Sequence, residues 1–402
     1  KNSLFFLLYN KIYHRRIELR FNMTGLTSKI KDISSIGLAD ILSKAIASIF
    51  WFYIASLLDP SYYGEISYVF SIAGVSSALA LLGSSNTVSI YVAKKIPLES
   101  TLYFFCLIAG ITSSIVLFFI FFDIGLSFLN IAILIFSLVI AEFLGNQLYK
   151  TYAKVIIIQK FLMVIFAISF YHISGEEFIV PGIALSYFPF IFYILKTFSK
   201  VKINFSLLKK KSNFIISNYA QTLSGAFGGS LDKIIIAPLF GFTILGNYSL
   251  GLQFLVILTI LPEVARKYLI AQESNGVVNR KLKFIIILSS FLFAVLGIFA
   301  GPPVMSYFFP KFIEAQDIIQ ILSISVIPST VTMIYYTKFL GMENSKHVLI
   351  ISISRTISQL FFIILLGTLY GVHGIAFSLV IASTISAIYA VYANQTIKNK
   401  IS

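Results

Sequence analysis

The chain has 402 residues, 58% of them hydrophobic and only 12% charged, with a formal net charge of +15. Together with a mean hydropathy of +0.90, this excludes an ordinary soluble domain and indicates an all-α, polytopic membrane protein. The positive balance does not imply nucleic acid as a partner. Its lysines and arginines sit in short loops between apolar stretches, the arrangement that sets membrane orientation.

Residues 1–33 precede the first span as a cytoplasmic or interfacial segment. Within it, 1–22 carries a short apolar run, Leu4 to Tyr9, too brief for a span and without a cleavage site after it. It reads either as an interfacial basic-aromatic helix or as sequence upstream of a start at Met23. Twelve spans follow, at about 34–58, 63–90, 100–122, 126–148, 154–173, 178–196, 213–240, 244–266, 284–309, 316–338, 347–369 and 371–395. An even number puts both termini on one side. The loops then sort by charge: one side is rich in lysine, while the other holds Lys311 alone among Asp59, Glu65, Asp123, Glu176, Glu177 and Glu314. Basic loops stay in the cytoplasm, so both termini are expected there, in the cell membrane. The longest basic link, 197–212, falls at the midpoint and divides a 34–196 lobe from a 213–396 lobe, with 397–402 as a cytoplasmic tail.

The two halves resemble each other. IASLLDPSYYGEISY (54–68) aligns with IAPLFGFTILGNYSL (236–250), placing Gly64 opposite Gly246, and GIALS (182–186) aligns with GIAFS (374–378). Six spans per copy is even, so the copies point the same way about an axis along the membrane normal. The first span thus corresponds to the seventh, and Lys160 in the fifth to Arg355 in the eleventh. Both basic residues lie on the order of 13 Å from the cytoplasmic end at 1.5 Å per residue, deep enough to face a cavity or to snorkel back.

The seventh span carries Asn218, Gln221, Gly225, Gly228 and Asp232 at three- and four-residue spacing, hence on one helix face. Two readings compete: small-residue helix packing and a polar stripe lining a wet cavity. Lys233 points to a different face from Asp232. In the first span Asp40 and Lys44 are four apart, close enough to pair. Glu142 lies in the fourth span near Asn146 and Gln147, and Glu263 precedes Arg266 and Lys267 as a snorkelled pair at the edge of the eighth. The second span adds a small polar stripe of Ser67, Ser71, Gly74 and Ala78. Pro60, Pro181, Pro238 and Pro262 sit at or near span ends, whereas Pro328 lies inside the tenth span and should kink it. Cys106 stands alone in an apolar span, and His14, His172, His347 and His373 lack ligand spacing. No enzyme motif and no nucleotide-binding loop appears, and no cofactor is expected.

Three stretches carry a family resemblance: FWFYIASLLDPSYYGEISYVFSIAG (50–74), DKIIIAPLFGFTILGNYSLGLQF (232–254) and YGVHGIAFSLVIAS (370–383). They are similar to motifs of the polysaccharide-export (Wzx-type oligosaccharide flippase) family of the multidrug/oligosaccharidyl-lipid/polysaccharide superfamily, over about Thr24 to Asn394. The resemblance implies a V-shaped, two-lobed transporter of the MATE/MurJ type that carries a polyprenyl-linked oligosaccharide outward by alternating access. The implied partners are membrane lipids and the glycan polymerase and glycosyltransferases of the same route. A coupling ion, H⁺ or Na⁺, is left open. Lys44 maps onto the family's cationic cavity role, with Lys160 and Arg355 as weaker candidates, and Asp232–Lys233 matches its Asp-Arg/Lys dipeptide. The cavity part of the eighth span has no basic residue, which counts against a peptidoglycan-precursor flippase.

The nearest rival is a cation-coupled multidrug antiporter, which wants an acid cluster in one lobe. Here Asp40, Glu142, Asp232 and Glu263 are spread over both. A membrane glycan polymerase or ligase wants a sizeable outer loop, and these loops are short.

Overall fold

A computed structural model describes residues 36–200, 202–274 and 279–401. The N-terminal segment 1–33 lies outside the described residues, as does the side chain of Gln221. The described chain is helical throughout. Its N-terminal half runs α1 (Ile36–Leu57), α2 (Pro60–Ala80), α3 (Ser84–Ala93), α4 (Glu99–Phe121), α5 (Ile124–Gly145), α6 (Tyr149–Ser174), α7 (Ile179–Leu185) and α8 (Ile191–Lys200). A short α9 (Phe205–Lys210) leads into α10 (Ser212–Phe240), α11 (Phe242–Leu258), α12 (Ile260–Ser274), α13 (Arg280–Phe308), α14 (Ala315–Ile324), α15 (Val326–Gly341) and α16 (Ser345–Ile401).

By length and hydropathy, seven described helices could cross a membrane, or ten if each bent pair is one span. The expected twelve follow when α10 is added and α16 is divided at Gly371, where φ is +58° and ψ −136°. That division is real. A Cβ on Gly374 would lie 1.9 Å from the Leu366 carbonyl oxygen, and His347 bonds Tyr389 across the pair at 2.8 Å, so the chain reverses there as a hairpin.

The bends have local causes. The span expected at 244–266 is broken by 54° between α11 and α12, and 316–338 by 41° between α14 and α15. A proline cannot donate to the carbonyl four residues back. For Pro262 and Pro328 those carbonyls belong to Leu258 and Ile324, the last residues of α11 and α14. Pro262 therefore breaks a span rather than ending one. The 49° bend between α2 and α3 has no proline; it turns at Leu82 and Gly83, both at positive φ. Side-chain caps start other helices: Asp123 accepts from Leu126 N at 3.0 Å and Asn279 from Leu282 N at 3.0 Å.

The halves meet where α2 crosses α11. A Cβ on Gly64 would sit 2.0 Å from the Phe242 oxygen, and one on Gly246 would sit 1.8 Å from the Pro60 oxygen. The contact is reciprocal between repeat-equivalent positions, as it must be when a pseudo-twofold axis passes between the helices. Around it one apolar cluster joins Phe50, Ile54 and Tyr63 of the first half to Met305, Phe309 and Phe312 of the second.

Candidate functional site

Beside this crossing, toward the basic loops, lies a cavity of about 770 Å³ between α1 and α2 on one wall and α10, α11, α12, α15 and α16 on the other. Repeat-equivalent residues border it in pairs: Trp51 and Lys233, Ser67 and Ser249, Phe70 and Leu252, Ser71 and Gln253. The lining carries polar groups among its apolar surface. Thr259, Ser329, Thr330, Thr332 and Ser352 add hydroxyls, and Lys233, Glu263, Arg266 and Arg355 add charge. A membrane helix tolerates such groups where they face one another or water rather than lipid.

Among the described residues three of the four charged lining groups are cations, and all four come from the C-terminal half. Lys233 stands 3.9 Å from Asp232, which is 9% exposed. That carboxylate accepts from Lys233 N at 2.8 Å, from the Tyr248 hydroxyl at 3.2 Å and from Gln359 Nε2 at 3.4 Å. It holds Lys233 from behind and is itself turned into the helix packing. The Arg355 guanidinium, half-buried in the lining, has no hydrogen-bond partner among the described residues. Arg266 pairs with Glu263 at 3.2 Å, both about two-fifths exposed to the cavity.

Of the residues singled out in the sequence, Lys233, Glu263, Arg266 and Arg355 line the cavity, as do Ser67, Ser71 and Pro262. The others lie elsewhere. Asp232 supports the lining from behind it. Asn218 donates to Thr87 Oγ1 at 3.4 Å and to Phe214 O at 3.1 Å, against α3. The stripe expected on the Asn218–Asp232 face is thus turned by one residue, and Ser230 and Lys233 present the cavity face of α10. Asp40 accepts from the Tyr152 hydroxyl at 2.9 Å inside the first half. Lys44 is exposed two turns from Trp51 on the same face of α1, outside the lining. Glu142 accepts from Tyr103 at 2.6 Å and Thr197 at 2.9 Å, tying α4, α5 and α8 together away from the cavity. Lys160 on α6 is half-buried and also outside the lining.

The sequence reading put Arg266 with Glu263 at the membrane edge rather than in the cavity. A straight eighth span would end at the membrane edge there, but the bend before Pro262 swings the residue into the cavity. The eighth span does therefore supply a basic group, contrary to the expectation from the sequence. Pro262 at that spacing was the available signal.

At the acidic end packed rings join the halves. Phe52 packs on Phe254 at 4.9 Å and on Phe309 at 5.6 Å, and Tyr63 packs on Phe312 at 5.6 Å. Lys311 pairs with Asp59 at 3.1 Å and donates to Leu57 O at 3.4 Å, so it spans the two halves at that face.

Comparison with solved structures gives the same architecture. The lipid II flippase MurJ in an inward closed conformation matches with a TM-score of 0.71 at 15% identity, over 90% of this chain and 87% of that one. An inward-facing multidrug resistance MATE family transporter of the MOP superfamily gives 0.67 at 13% identity, over 89% and 95%. The Vibrio cholerae MATE transporter VcmN gives 0.58 at 14% identity, over 92% and 98%. No family model matches the sequence, and no curated protein does. The chain is an all-helical, multi-pass membrane protein with the fold of these structures, and these neighbours are a flippase and multidrug transporters.

Proposed function

We propose that this protein is a flippase that moves a polyprenyl-phosphate- or pyrophosphate-linked oligosaccharide from the cytoplasmic to the outer leaflet, by alternating access, for surface glycan biosynthesis. The observation that carries this reading is the charge of the described lining: Lys233, Arg266 and Arg355 against Glu263, with Asp232 behind Lys233. A phosphate or pyrophosphate head loses its hydration on entering such a site, and cationic donors replace it. The volume, about 770 Å³, suits a drug-sized head group rather than a polymer. A cleft between the lobes would let the prenyl tail stay in lipid.

On this reading the basic loops and both termini are cytoplasmic, and the lobes 34–196 and 213–396 rock about the α2–α11 crossing. A membrane potential negative inside then favours outward movement of an anion by roughly 2.3 kcal/mol per charge per 100 mV. Glycosyltransferases supply the substrate and a polymerase consumes it.

The test is depletion in the source organism. A flippase loss leaves lipid-linked glycan units on the cytoplasmic leaflet; a polymerase loss leaves single units exported. Complementation by wild type but not by Arg355→Gln ties export to the cavity. Normal export with raised sensitivity to lipophilic drugs would instead identify a multidrug antiporter.

A further inference from the structure

The two walls of the cavity differ in chemistry. Among the described residues every charged lining group belongs to the C-terminal half, and the opposite wall is uncharged: Trp51, Tyr63, Ser67, Phe70 and Ser71. Trp51 is the chain's single tryptophan. Three edge-on rings hold it: Phe50 at 5.2 Å, Tyr63 at 6.1 Å and Phe70 at 5.1 Å. A ring fixed in this way offers apolar area at little entropic cost.

The hydroxyls beside it are oriented. Ser67 donates to Tyr63 O at 2.9 Å, and Ser71 donates to Ser67 O at 2.8 Å. Their protons are spent on the helix backbone, which leaves oxygen lone pairs as acceptors. Across the cavity the Ser249 hydroxyl is buried, 7% exposed, with no hydrogen-bond partner among the described residues.

A flat apolar ring flanked by acceptors complements a sugar, which has an apolar C–H face and hydroxyl donors at its rim. We propose that the α1–α2 wall, Trp51 with Ser67 and Ser71, is a saccharide-binding wall, facing the phosphate-binding wall of Lys233, Arg266 and Arg355. The inference rests on the flippase reading and adds to it a division of labour: the C-terminal half holds the anion and the N-terminal half reads the first sugar.

Trp51 itself reports on this. Purified protein is titrated with a short-chain prenyl pyrophosphate and with the same compound carrying one N-acetylglucosamine, and tryptophan emission is followed. The sugar-bearing probe should shift or quench Trp51 emission well beyond the bare probe. By isothermal titration, Trp51→Leu should cut the affinity advantage of the sugar-bearing over the bare probe by about tenfold, and Ser67→Ala should cut it in the same direction. Equal emission changes with both probes, or a lipophilic cation quenching Trp51 where the sugar-bearing probe does not, overturns the proposal. Failure of the flippase reading looks different: the bare prenyl pyrophosphate then fails to bind, or binds equally to wild type and Arg355→Gln.

Discussion

At the scale of single residues, Asp232 and Lys233 show how adjacent charges take separate roles. Asp232 has its acceptors filled by Tyr248, Gln359 and the backbone, and Lys233 reaches the cavity. Asp232→Leu would strand the Tyr248 hydroxyl, the Gln359 amide and the Lys233 charge. The expected loss is about 1–3 kcal/mol, read as a lower melting temperature in detergent. Lys233→Gln should melt near wild type and lose export. Glu142→Leu is the matching control: Tyr103 and Thr197 lose their acceptor, so stability falls by a similar amount while binding of a bare prenyl pyrophosphate persists. The sequence separated the faces of Asp232 and Lys233 but not which of them met the cleft. Helical spacing fixes angles within one helix, and the zero of that angle is set by packing against α11 and α16. Polar residues at membrane depth were legible as needing partners; Asp40 and Glu142 found theirs in tyrosine and threonine hydroxyls, which no charge pattern reveals.

At the scale of elements, the α2–α11 crossing is set by two glycines. A Cβ on Gly64 meets a main-chain oxygen at 2.0 Å, and a main-chain atom cannot move aside without its helix. Gly64→Ala should therefore part the helices and destabilise by about 1–3 kcal/mol or more. Gly246→Ala should have a similar effect, because the contact is reciprocal. Both changes open the same crossing, so the double variant should lose less stability than the sum of the two singles; thermal melts of the three variants in detergent check this. Strict additivity would mean that the two sites relax independently. The repeat placed Gly64 opposite Gly246, but alignment carries no position for the axis, and equivalent residues touch only where they lie on it. Span existence was legible from hydropathy; span shape was not, because an average over some twenty residues cannot register one missing N–H. Pro328 was read as a kink from its central position, while Pro262, acting by the same chemistry, was placed at an end, and Arg266 was lost with it.

At the scale of the whole molecule, the two ends of the cleft are closed unequally. At the acidic end Met305, Phe309 and Phe312 enter one core with Phe50 and Ile54, reinforced by the exposed Asp59–Lys311 pair. Toward the basic end α10 touches α3 through Phe214, 39% exposed, against Tyr91, and through Asn218 to Thr87 at 3.4 Å. An exposed ion pair contributes about 0–1 kcal/mol, whereas removal of a buried aromatic ring costs about 3–5 kcal/mol, so the rings and not the salt bridge hold the acidic end shut. Ser67→Cys places a reporter thiol in the cavity, roughly 10 Å from the acidic end of α2 at 1.5 Å per residue, and the native Cys106 is buried and silent. In sealed vesicles a membrane-impermeant maleimide should reach this thiol from the basic face and scarcely from the acidic one. Adding Lys311→Gln should raise acidic-side labelling by no more than about fivefold, the factor equivalent to 1 kcal/mol; adding Phe309→Ala should raise it more than about tenfold. The opposite order would make Asp59–Lys311 the gate, and equal labelling from both faces of the otherwise unaltered reporter protein would mean that the cavity is not closed toward the acidic side.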